Sequence, residues 1–436
     1  MQHHESEPSA RPLSMKNMFS AATTLGTSII IKMACGLFLI KLLALRLPVT
    51  EFGQMGQYMT LIAFLTAIAG GGQIHGLIKL LGESKPGTIE WTELLQTAHF
   101  QTFIASGAIM LILVFGALPL TEYLVGRPEL VWIMAPVCIG LFFAGLNNIN
   151  IAAMSATGAM RDLASSQVMA TLIATAATAA LLWIFGLPGA ATGFALTAFW
   201  NFVLSHRRTK KLELIQSFDR RPVFNPALLK ALFSYSGAFL VAILFMPLSY
   251  MFVRAELASI HGWKAVGQWQ AVHKLSEAVM QIYGTFLNNF VLAHMARVKS
   301  YNEIRSLLIN VTLAVVGSAI LGYTVLYIGR DLAVSILFTS EFKPITGWLH
   351  VQFAGDVLCL VAAIASNFFI ARKLLWRYIM VQASAAAFFV YLFSMFAAEH
   401  GFAAPIFAHL YTFGILAVCF LGLALFSEWT HRKTVR

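Results

Sequence analysis

The chain is dominated by long apolar stretches, each long enough to cross a bilayer as a helix. The first, Asn17 to Leu45, exceeds the roughly 20 apolar residues that span the hydrocarbon core. It nevertheless carries Lys32 near its middle and Lys41 near its far end. A lysine at mid-bilayer costs roughly 3 kcal/mol on insertion scales. Its ammonium must therefore face a watery cavity or a counter-charge.

The composition is that of a polytopic membrane protein. Hydrophobic residues make up 58% of the 436 residues and charged residues only 11%, against about 25% charged in a soluble domain. The net charge of +11 does not indicate nucleic-acid binding, because the basic residues cluster between the apolar runs, where membrane topology places them. The cysteines stand singly inside apolar runs, which is typical of small hydrophobes. They are Cys35, Cys138, Cys359 and Cys419.

The apolar runs predict twelve spans. These cover residues 18–45, 53–81, 94–118, 129–157, 161–185, 188–205, 227–254, 265–294, 303–328, 345–371, 374–397 and 403–427. A shorter apolar piece, Leu332–Phe338, cannot cross a bilayer and predicts a re-entrant or interfacial helix. We therefore expect an all-α polytopic membrane protein with about twelve transmembrane helices, in two parallel six-helix lobes around a central cationic cavity.

An internal repeat divides the chain into two halves. Gly53-Gln54 recurs as Gly267-Gln268 and Gly70 as Gly284, at one offset of 214 residues (267 − 53 and 284 − 70). The same offset relates Lys16, Phe19, Ser20 and Lys85 to Lys230, Phe233, Ser234 and Lys299. Six spans separate the copies, so the halves should run parallel about an axis along the membrane normal, as in some transporters built from two equivalent bundles.

We expect four segments. They are a disordered cytoplasmic tail at 1–14, an N-lobe at 15–205, a cytoplasmic linker at 206–226 and a C-lobe at 227–436. An even number of spans puts both termini on one side, and Lys and Arg predict that this side is cytoplasmic. The central linker holds Arg207, Arg208, Lys210, Lys211, Arg220 and Arg221. The opposite side holds only Arg46, Arg127, Lys264, Arg330 and Lys343, with Arg254 near it.

Six basic residues in or beside the spans are candidates for binding an anionic substrate. They are Lys32, Lys41, Lys79, Arg161, Arg254 and Lys274. Lys32 lies too deep to reach the headgroups easily, whereas Lys41 could instead snorkel to the outer interface. Arg254 is either an interface anchor or the outer lip of the cavity. Lys79 follows Gly70-Gly71-Gly72, which predict either a bend or a close-packed patch.

Three other ionisable residues are candidates for coupling transport to protons: His273, Glu277 and Asp356. Glu277 follows His273 by four residues and Lys274 by three, so it can pair with either. Such a cluster is either a satisfied structural network or a site where proton binding moves substrate. Asp356 is the other mid-membrane acid and could neutralise part of the cationic cavity.

Amide side chains recur in two spans. Their donors suit either sugar hydroxyls or hydrogen bonds between helices. They are Asn147, Asn148, Asn150, Asn288 and Asn289.

Motifs of catalysis are missing from the sequence. It has no HExxH, Walker A or GxSxG pattern, and no acidic pair in an outer loop of the kind a lipid-dependent glycosyltransferase needs. We therefore expect a transporter with no catalytic residue, metal or cofactor, rather than an enzyme.

Several stretches along the chain resemble one family. They are KMACGLFLIKLLAL with Lys32 and Lys41, GLIKLLGE with Lys79, GAMRD with Arg161, VGQWQAVHKLSEA with Glu277, RDLAVSILFTSEF, and FAGDVLCL with Asp356. In this order and spacing they resemble the Wzx-type flippases, a polysaccharide-transporter branch of the superfamily that also holds the MATE exporters and the lipid II flippase. The resemblance is greatest to those that move lipid III for enterobacterial common antigen.

The resemblance implies alternating access in the bacterial inner membrane. The substrate would be an undecaprenyl-pyrophosphate-linked oligosaccharide, either lipid III or an O-antigen unit of lipopolysaccharide, moved from the cytoplasmic to the periplasmic leaflet. The implied partners are this glycan, the membrane lipid, the polysaccharide polymerase and the chain-length regulator. The alternative is a cation-coupled multidrug or small-molecule exporter of the MATE type, although MATE exporters tend to carry an acid in the first span, where this chain has lysines.

Overall fold

The computed structural model describes residues 15–298 and 300–434, and those residues form helices with no strand among them. The predicted tail at 1–14 lies outside the described residues. The first half holds α1 (Met15–Arg46), α2 (Val49–Ile68), α3 (Ile74–Glu83), α4 (Ile89–Val125), α5 (Met134–Ala156), α6 (Met160–Phe185), α7 (Leu187–Ala195) and α8 (Thr197–Lys211). The second half holds α9 (Pro226–Phe286), α10 (Leu292–Arg297), α11 (Tyr301–Ile328), α12 (Arg330–Leu337), α13 (Leu349–Ala371), α14 (Leu375–His400) and α15 (Ala404–Thr434).

Ten segments of the described chain are long and apolar enough to cross a membrane. The two longest, Leu240–Phe286 and Leu375–Leu423, each contain a sharp turn. Gly262 has φ 77° and Gly401 has φ 52°, a left-handed backbone that glycine adopts without steric cost. Each of these segments therefore holds two spans. The predicted all-α bundle of about twelve transmembrane helices is confirmed.

Two predicted spans differ in detail from the observed helices. The second is interrupted by a 3₁₀ segment, Ala69–Gly72, in which Gly70 and Gly71 have φ 71° and 68°. The glycine triplet therefore forms a bend. The third is longer than predicted, with 37 residues and a length of about 55 Å at 1.5 Å per residue. Its extra length carries it beyond the bilayer.

The start of α4 supports the segment that joins the two halves. The buried Trp91 donates from Nε1 to Leu214 O at 2.9 Å, and Thr92 Oγ1 donates to Asp219 Oδ1 at 2.7 Å. Residues 212–225, between α8 and α9, are thus packed against the first half. They fall within the predicted linker at 206–226, and the division into lobes at this point stays a prediction.

The short apolar piece after α11 does not cross the bundle. It forms α12, a helix of eight residues that lies beside α1. Lys41 Nζ donates to Ser335 O there at 3.4 Å. Its length is about 12 Å at 1.5 Å per residue, which is too short to span, as predicted.

The helices alternate between two ends of the bundle. We call the end that carries residues 47–48, 126–127, 262 and 401 the distal end, and the end that carries 84–88, 157–159, 212–225 and 372–374 the proximal end. We call residues 226–261 the first arm of α9, which rises to the distal end, and residues 263–286 the second arm, which returns.

The two halves pack tightly at the distal end, along a line of contact between α2 and α9 that we call the distal seam. A Cβ on Gly53 would lie 2.7 Å from Gly267 N and 2.8 Å from Trp263 O, and a Cβ on Gly267 would overlap Val49 O. These contacts are symmetric under the repeat, because Val49 and Trp263 are also 214 residues apart (263 − 49). The repeated glycines therefore meet on the axis that relates the halves, and small residues let the helix backbones approach.

Polar bonds extend the distal seam toward the centre of the bundle. Gln57 Nε2 donates to Met251 O at 2.9 Å, and Arg254 Nη1 donates to Thr60 Oγ1 at 2.6 Å. Both bonds join α2 to the first arm of α9. The distal end is therefore closed in this structure by backbone packing and by buried hydrogen bonds together.

The glycine contact predicts the effect of adding one methyl group. Gly267→Ala should lower the midpoint of thermal unfolding in detergent, because overpacking a tight contact costs about 1–3 kcal/mol. Gly237→Ala is the matched control on the same helix, since a Cβ there meets nothing within 4 Å. Scanning fluorimetry of both purified variants measures the difference. Equal midpoints would contradict the tight seam.

Candidate functional site

A cavity lies between the two halves, on the proximal side of the distal seam. Its volume is about 140 Å³. Helices α1, α2 and α7 line it from the first half, and the second arm of α9 lines it from the second half. Its polar lining consists of Lys32, Lys274, Glu277 and Gln281. The structure therefore brings together two of the six predicted substrate-binding lysines and arginines, although they are far apart in the sequence.

Lys32 projects into this cavity from the middle of α1. Its side chain is half-buried, and Nζ donates to Gln167 Oε1 on α6. In the described part of the chain this ammonium has an amide partner but no carboxylate within ion-pair distance. Its positive charge is therefore not neutralised by the protein.

Lys274 and Glu277 form an ion pair on the opposite wall. Lys274 Nζ lies 2.6 Å from Glu277 Oε2, one turn along α9. The Lys274 side chain is 15% exposed and that of Glu277 53% exposed, so the carboxylate is the more open partner. With Lys32 at +1 and the pair at zero, the ionised side chains of the cavity carry a net positive charge.

Arg254 has a different position from these lysines. It is 1% exposed and is held in the distal seam by Thr60 Oγ1 and by Gln270 Oε1, at 2.6 and 2.7 Å. Its guanidinium also lies 5.2 Å from the ring centre of Trp269, within cation–π range. The structure thus places Arg254 in the contact between the halves rather than in the cavity lining.

The other three predicted basic residues lie near the ends of the bundle. Lys41 reaches α12 at the distal end. Lys79 is exposed on α3, and Arg161 is exposed on the first turn of α6. Lys79 and Arg161 therefore lie toward the proximal end, and neither lines the cavity that holds Lys32.

The predicted His273–Lys274–Glu277 cluster is only partly formed. The His273 ring packs 4.9 Å from that of Tyr250 and 6.2 Å from that of Trp269. It therefore lies in an aromatic layer behind the cavity. The ion pair of the cluster is the Lys274–Glu277 pair alone.

Asp356 lies in the second half, away from this cavity, and is 1% exposed. Oδ2 accepts from Ser276 Oγ at 2.6 Å. Oδ1 accepts from Gln352 Nε2 and lies 3.0 Å from His409 Nε2. Sequence reasoning missed His409, because a single histidine in an apolar helix has no pattern that marks it. Its partner Asp356 is the only signal that could have drawn attention to it.

The amides divide between structural and cavity positions. Asn150 and Asn147 bind Ser205 from α5, at 3.0 and 2.8 Å, which ties α5 to α8. Asn147 and Asn148 also line a second cavity of about 290 Å³, with Thr66, Thr197 and Asn201. This amide cavity adjoins the cationic one, because Met59 and Phe194 line both. Asn288 lines a third cavity, and the side chain of Asn289 lies outside the described residues.

The fold is shared with transporters of known structure. A multidrug resistance MATE family transporter of the MOP superfamily, in its inward-facing conformation, superposes with a TM-score of 0.73 at 11% identity, over 94% of this chain and 100% of that one. The lipid II flippase MurJ in an inward closed conformation superposes with a TM-score of 0.72 at 14% identity, over 94% and 87%.

The sequence has a curated relative of nearly the same length. It is 24% identical over 376 residues to the lipid III flippase of Escherichia coli (strain K12), covering 85% of this chain and 88% of the relative. Residues 42–346 match the family described as "Polysaccharide biosynthesis protein", which is more than half of the chain. The chain therefore belongs to this family of polysaccharide biosynthesis proteins, and it does so as a multi-pass membrane protein with the fold of the MATE transporters and MurJ.

Proposed function

We propose that this protein is a flippase that moves an undecaprenyl-pyrophosphate-linked oligosaccharide across the bacterial inner membrane. The substrate is lipid III or an O-antigen unit, and it moves from the cytoplasmic to the periplasmic leaflet by alternating access, without enzymatic chemistry. One observation carries this proposal: Lys32 and Lys274 meet in one cavity between the halves, with net positive charge. The similarity to the lipid III flippase of E. coli supports it.

A pyrophosphate suits this cavity by charge. Its two ionised phosphates accept charge-assisted hydrogen bonds from ammonium groups. Unit charges 4 Å apart attract by about 4 kcal/mol at the effective dielectric constant of 20 that is typical near a protein surface. The unpaired charge of Lys32 and the exposed carboxylate of Glu277 act in opposite directions. The diphosphate is therefore expected to lie nearer α1 and to compete with Glu277 for Lys274.

The sugars and the prenyl chain need different surroundings. The adjoining amide cavity offers Asn148 and Asn201 among its polar lining, and uncharged amides and hydroxyls suit sugar hydroxyl groups. The prenyl chain can remain in the lipid, since apolar chains gain nothing by entering a polar cavity. We assign the sugars to the amide side of the cavity and the diphosphate to the cationic side.

The distribution of basic residues orients the bundle. The proximal end carries a concentration of Lys and Arg in residues 207–221, so the positive-inside rule puts the proximal end and both termini in the cytoplasm. With the distal seam closed, the cationic cavity is then positioned to receive substrate from the cytoplasmic leaflet. The polysaccharide polymerase and the chain-length regulator stay predicted partners.

The alternative is a MATE-type exporter of cationic small molecules. The likeness in fold to a MATE transporter favours it, and Glu277 offers one exposed carboxylate to a cation. Lys32 opposes it, because an unneutralised ammonium repels a cationic drug from the same cavity. Binding of a cationic dye, compared with binding of a prenyl-pyrophosphate glycan, distinguishes the two functions.

Complementation tests the role of Lys32. Wild-type protein should restore surface glycan in E. coli cells that lack their own lipid III flippase, or in cells that lack an O-antigen flippase. Lys32→Ala should abolish the rescue because the unpaired positive charge is lost, while Lys32→Arg should keep part of it. Surface glycan and membrane insertion are measured together, by glycan blotting and by detection of the protein in the membrane fraction.

Lys264→Ala is the matched control, because this lysine is exposed at the distal turn of α9. It should complement as well as wild type. Export by Lys32→Ala at the wild-type level would refute the role of Lys32. If wild-type protein rescues neither strain and binds only the cationic dye, the exporter function replaces the flippase function.

The ion pair predicts non-additive effects on binding. Lys274→Met leaves the Glu277 carboxylate unpaired in the cavity, so it should bind a short-chain prenyl-pyrophosphate-linked N-acetylglucosamine at least about tenfold more weakly than wild type, or about 1.4 kcal/mol. The double variant Lys274→Met/Glu277→Gln should recover part of this loss, since the repulsion is removed. Titration of the purified proteins measures this. A double variant weaker than Lys274→Met would contradict the role of Glu277.

A further inference from the structure

A buried carboxylate in the second half is surrounded by donors and by one titratable partner. Asp356 lies seven residues into α13, about 10 Å along the helix. It accepts hydrogen bonds from Ser276 and Gln352 and lies 3.0 Å from His409 Nε2 on α15. No lysine or arginine in the described residues forms an ion pair with it. The charge of this carboxylate therefore depends on a proton shared with His409.

The approach of His409 is built into α13. Gly355 precedes Asp356, and a Cβ there would lie 2.5 Å from His409 Cδ2 and 3.2 Å from Leu410 N. Only a residue without a side chain lets α15 come this close. The pair therefore depends on a close helix contact as well as on its two side chains.

A cavity leads from the proximal end toward this pair. Its volume is about 370 Å³. Cys359, one turn after Asp356, lines it, as does Phe413, one turn after His409, whose ring lies 4.8 Å from that of His409. Its wall continues to Asn367 and Tyr378 near the proximal ends of α13 and α14. These polar side chains provide a route by which water can reach the pair from the proximal side.

Ser276 connects the pair to the cationic cavity. It lies on the second arm of α9, between Lys274 and Glu277, which line that cavity. The same arm supplies Gly267 to the distal seam. A change in the bond from Ser276 to Asp356 therefore acts on the helix that both binds the substrate and closes the distal end.

We infer that the Asp356–His409 pair is a proton-exchange site whose occupancy opposes substrate binding in the cationic cavity. A proton on Asp356 turns an accepting oxygen into a donor, so that it faces the hydroxyl of Ser276 or the ring N–H of His409 as donor against donor. One of these bonds must then break. The arrangement seen here, with three donors on one carboxylate, belongs to the deprotonated pair. This inference rests on the flippase function proposed above.

Other ionisable groups surround the pair and must be separated from it. Tyr250 on α9, Tyr323 on α11 and Cys359 on α13 interact electrostatically with Asp356. His273 interacts with His409, and itself feels Arg254, Lys274 and Glu277. Glu277 is the nearest other acid, so Glu277→Gln belongs in the experiment beside the variants of the pair.

The experiment measures protons and ligand together. The full chain in lipid nanodiscs is titrated with a short-chain prenyl-pyrophosphate-linked N-acetylglucosamine, a diester that stays ionised between roughly pH 5 and 8. Ligand binding in weak buffer should release protons to a pH-sensitive dye. Affinity should rise with pH by up to about tenfold per unit, the limit for one linked proton.

Variants locate the group that releases the proton. Asp356→Asn and His409→Gln should bind the probe with an affinity that does not change with pH. His409→Gln keeps an amide donor for Asp356, so it tests the site even if Asp356→Asn does not fold. Asp331→Asn and His350→Gln are matched controls, because both residues are exposed near the distal end, and they should behave as wild type.

Each other outcome overturns the inference in a distinguishable way. If wild type binds the probe without proton release, the flippase function stands and the proton site falls. If both variants of the pair keep the wild-type pH dependence while Glu277→Gln loses it, the proton belongs to Glu277. If binding follows sodium concentration rather than pH, the ligand of the site is a metal cation. If wild type does not bind the probe at all, the proposed function fails and this inference fails with it.

Discussion

The packing of Gly53 against Gly267 determines much of what the rest of this bundle can do. The two backbones touch at the distal end, where any side chain would force them apart. Because the two glycines are equivalent positions of a repeat, the contact lies on the axis between the halves. A rigid contact at one end lets the halves separate at the other, and the cationic cavity lies between them on the proximal side. Closure at the distal end and access at the proximal end are thus two consequences of one contact.

The buried charges of the bundle occupy three distinct environments. Arg254 is fixed in the distal seam by two hydrogen bonds and an aromatic ring, and it can relax only if the seam opens. Lys32 has only an amide partner and stays available to a ligand. Asp356 is surrounded by donors. Because uncompensated charge in a membrane interior is costly, each environment marks a position where a conformational change or a ligand alters the energy of the protein.

The sequence predicted the spans well and the site partly, for physical reasons. Hydropathy identifies a span wherever about 20 apolar residues follow one another, which worked even where Gly262 joins two spans into one continuous helical segment. The depth of Lys32 marked it as functional, and its cavity position agrees with that expectation. Arg254 looked equivalent from sequence, because depth does not reveal which face of a helix meets the other half. His409 gave no signal, because its importance comes entirely from the contact with Asp356, 53 residues earlier.

The second arm of α9 connects the three environments. Within about two turns it carries Gly267 and Gln270 of the distal seam, Lys274 and Glu277 of the cavity, and Ser276 of the proton site. A ligand can shift an equilibrium between two conformations only through a difference in its affinity for them. A helix that contacts all three sites is where such a difference arises, since a displacement that improves one set of contacts must alter the other two. In alternating access, the substrate and the proton then need not touch each other. They compete through the position of one helix, which explains how a site that binds a large anion can be controlled by a single proton buried in the other half of the contact.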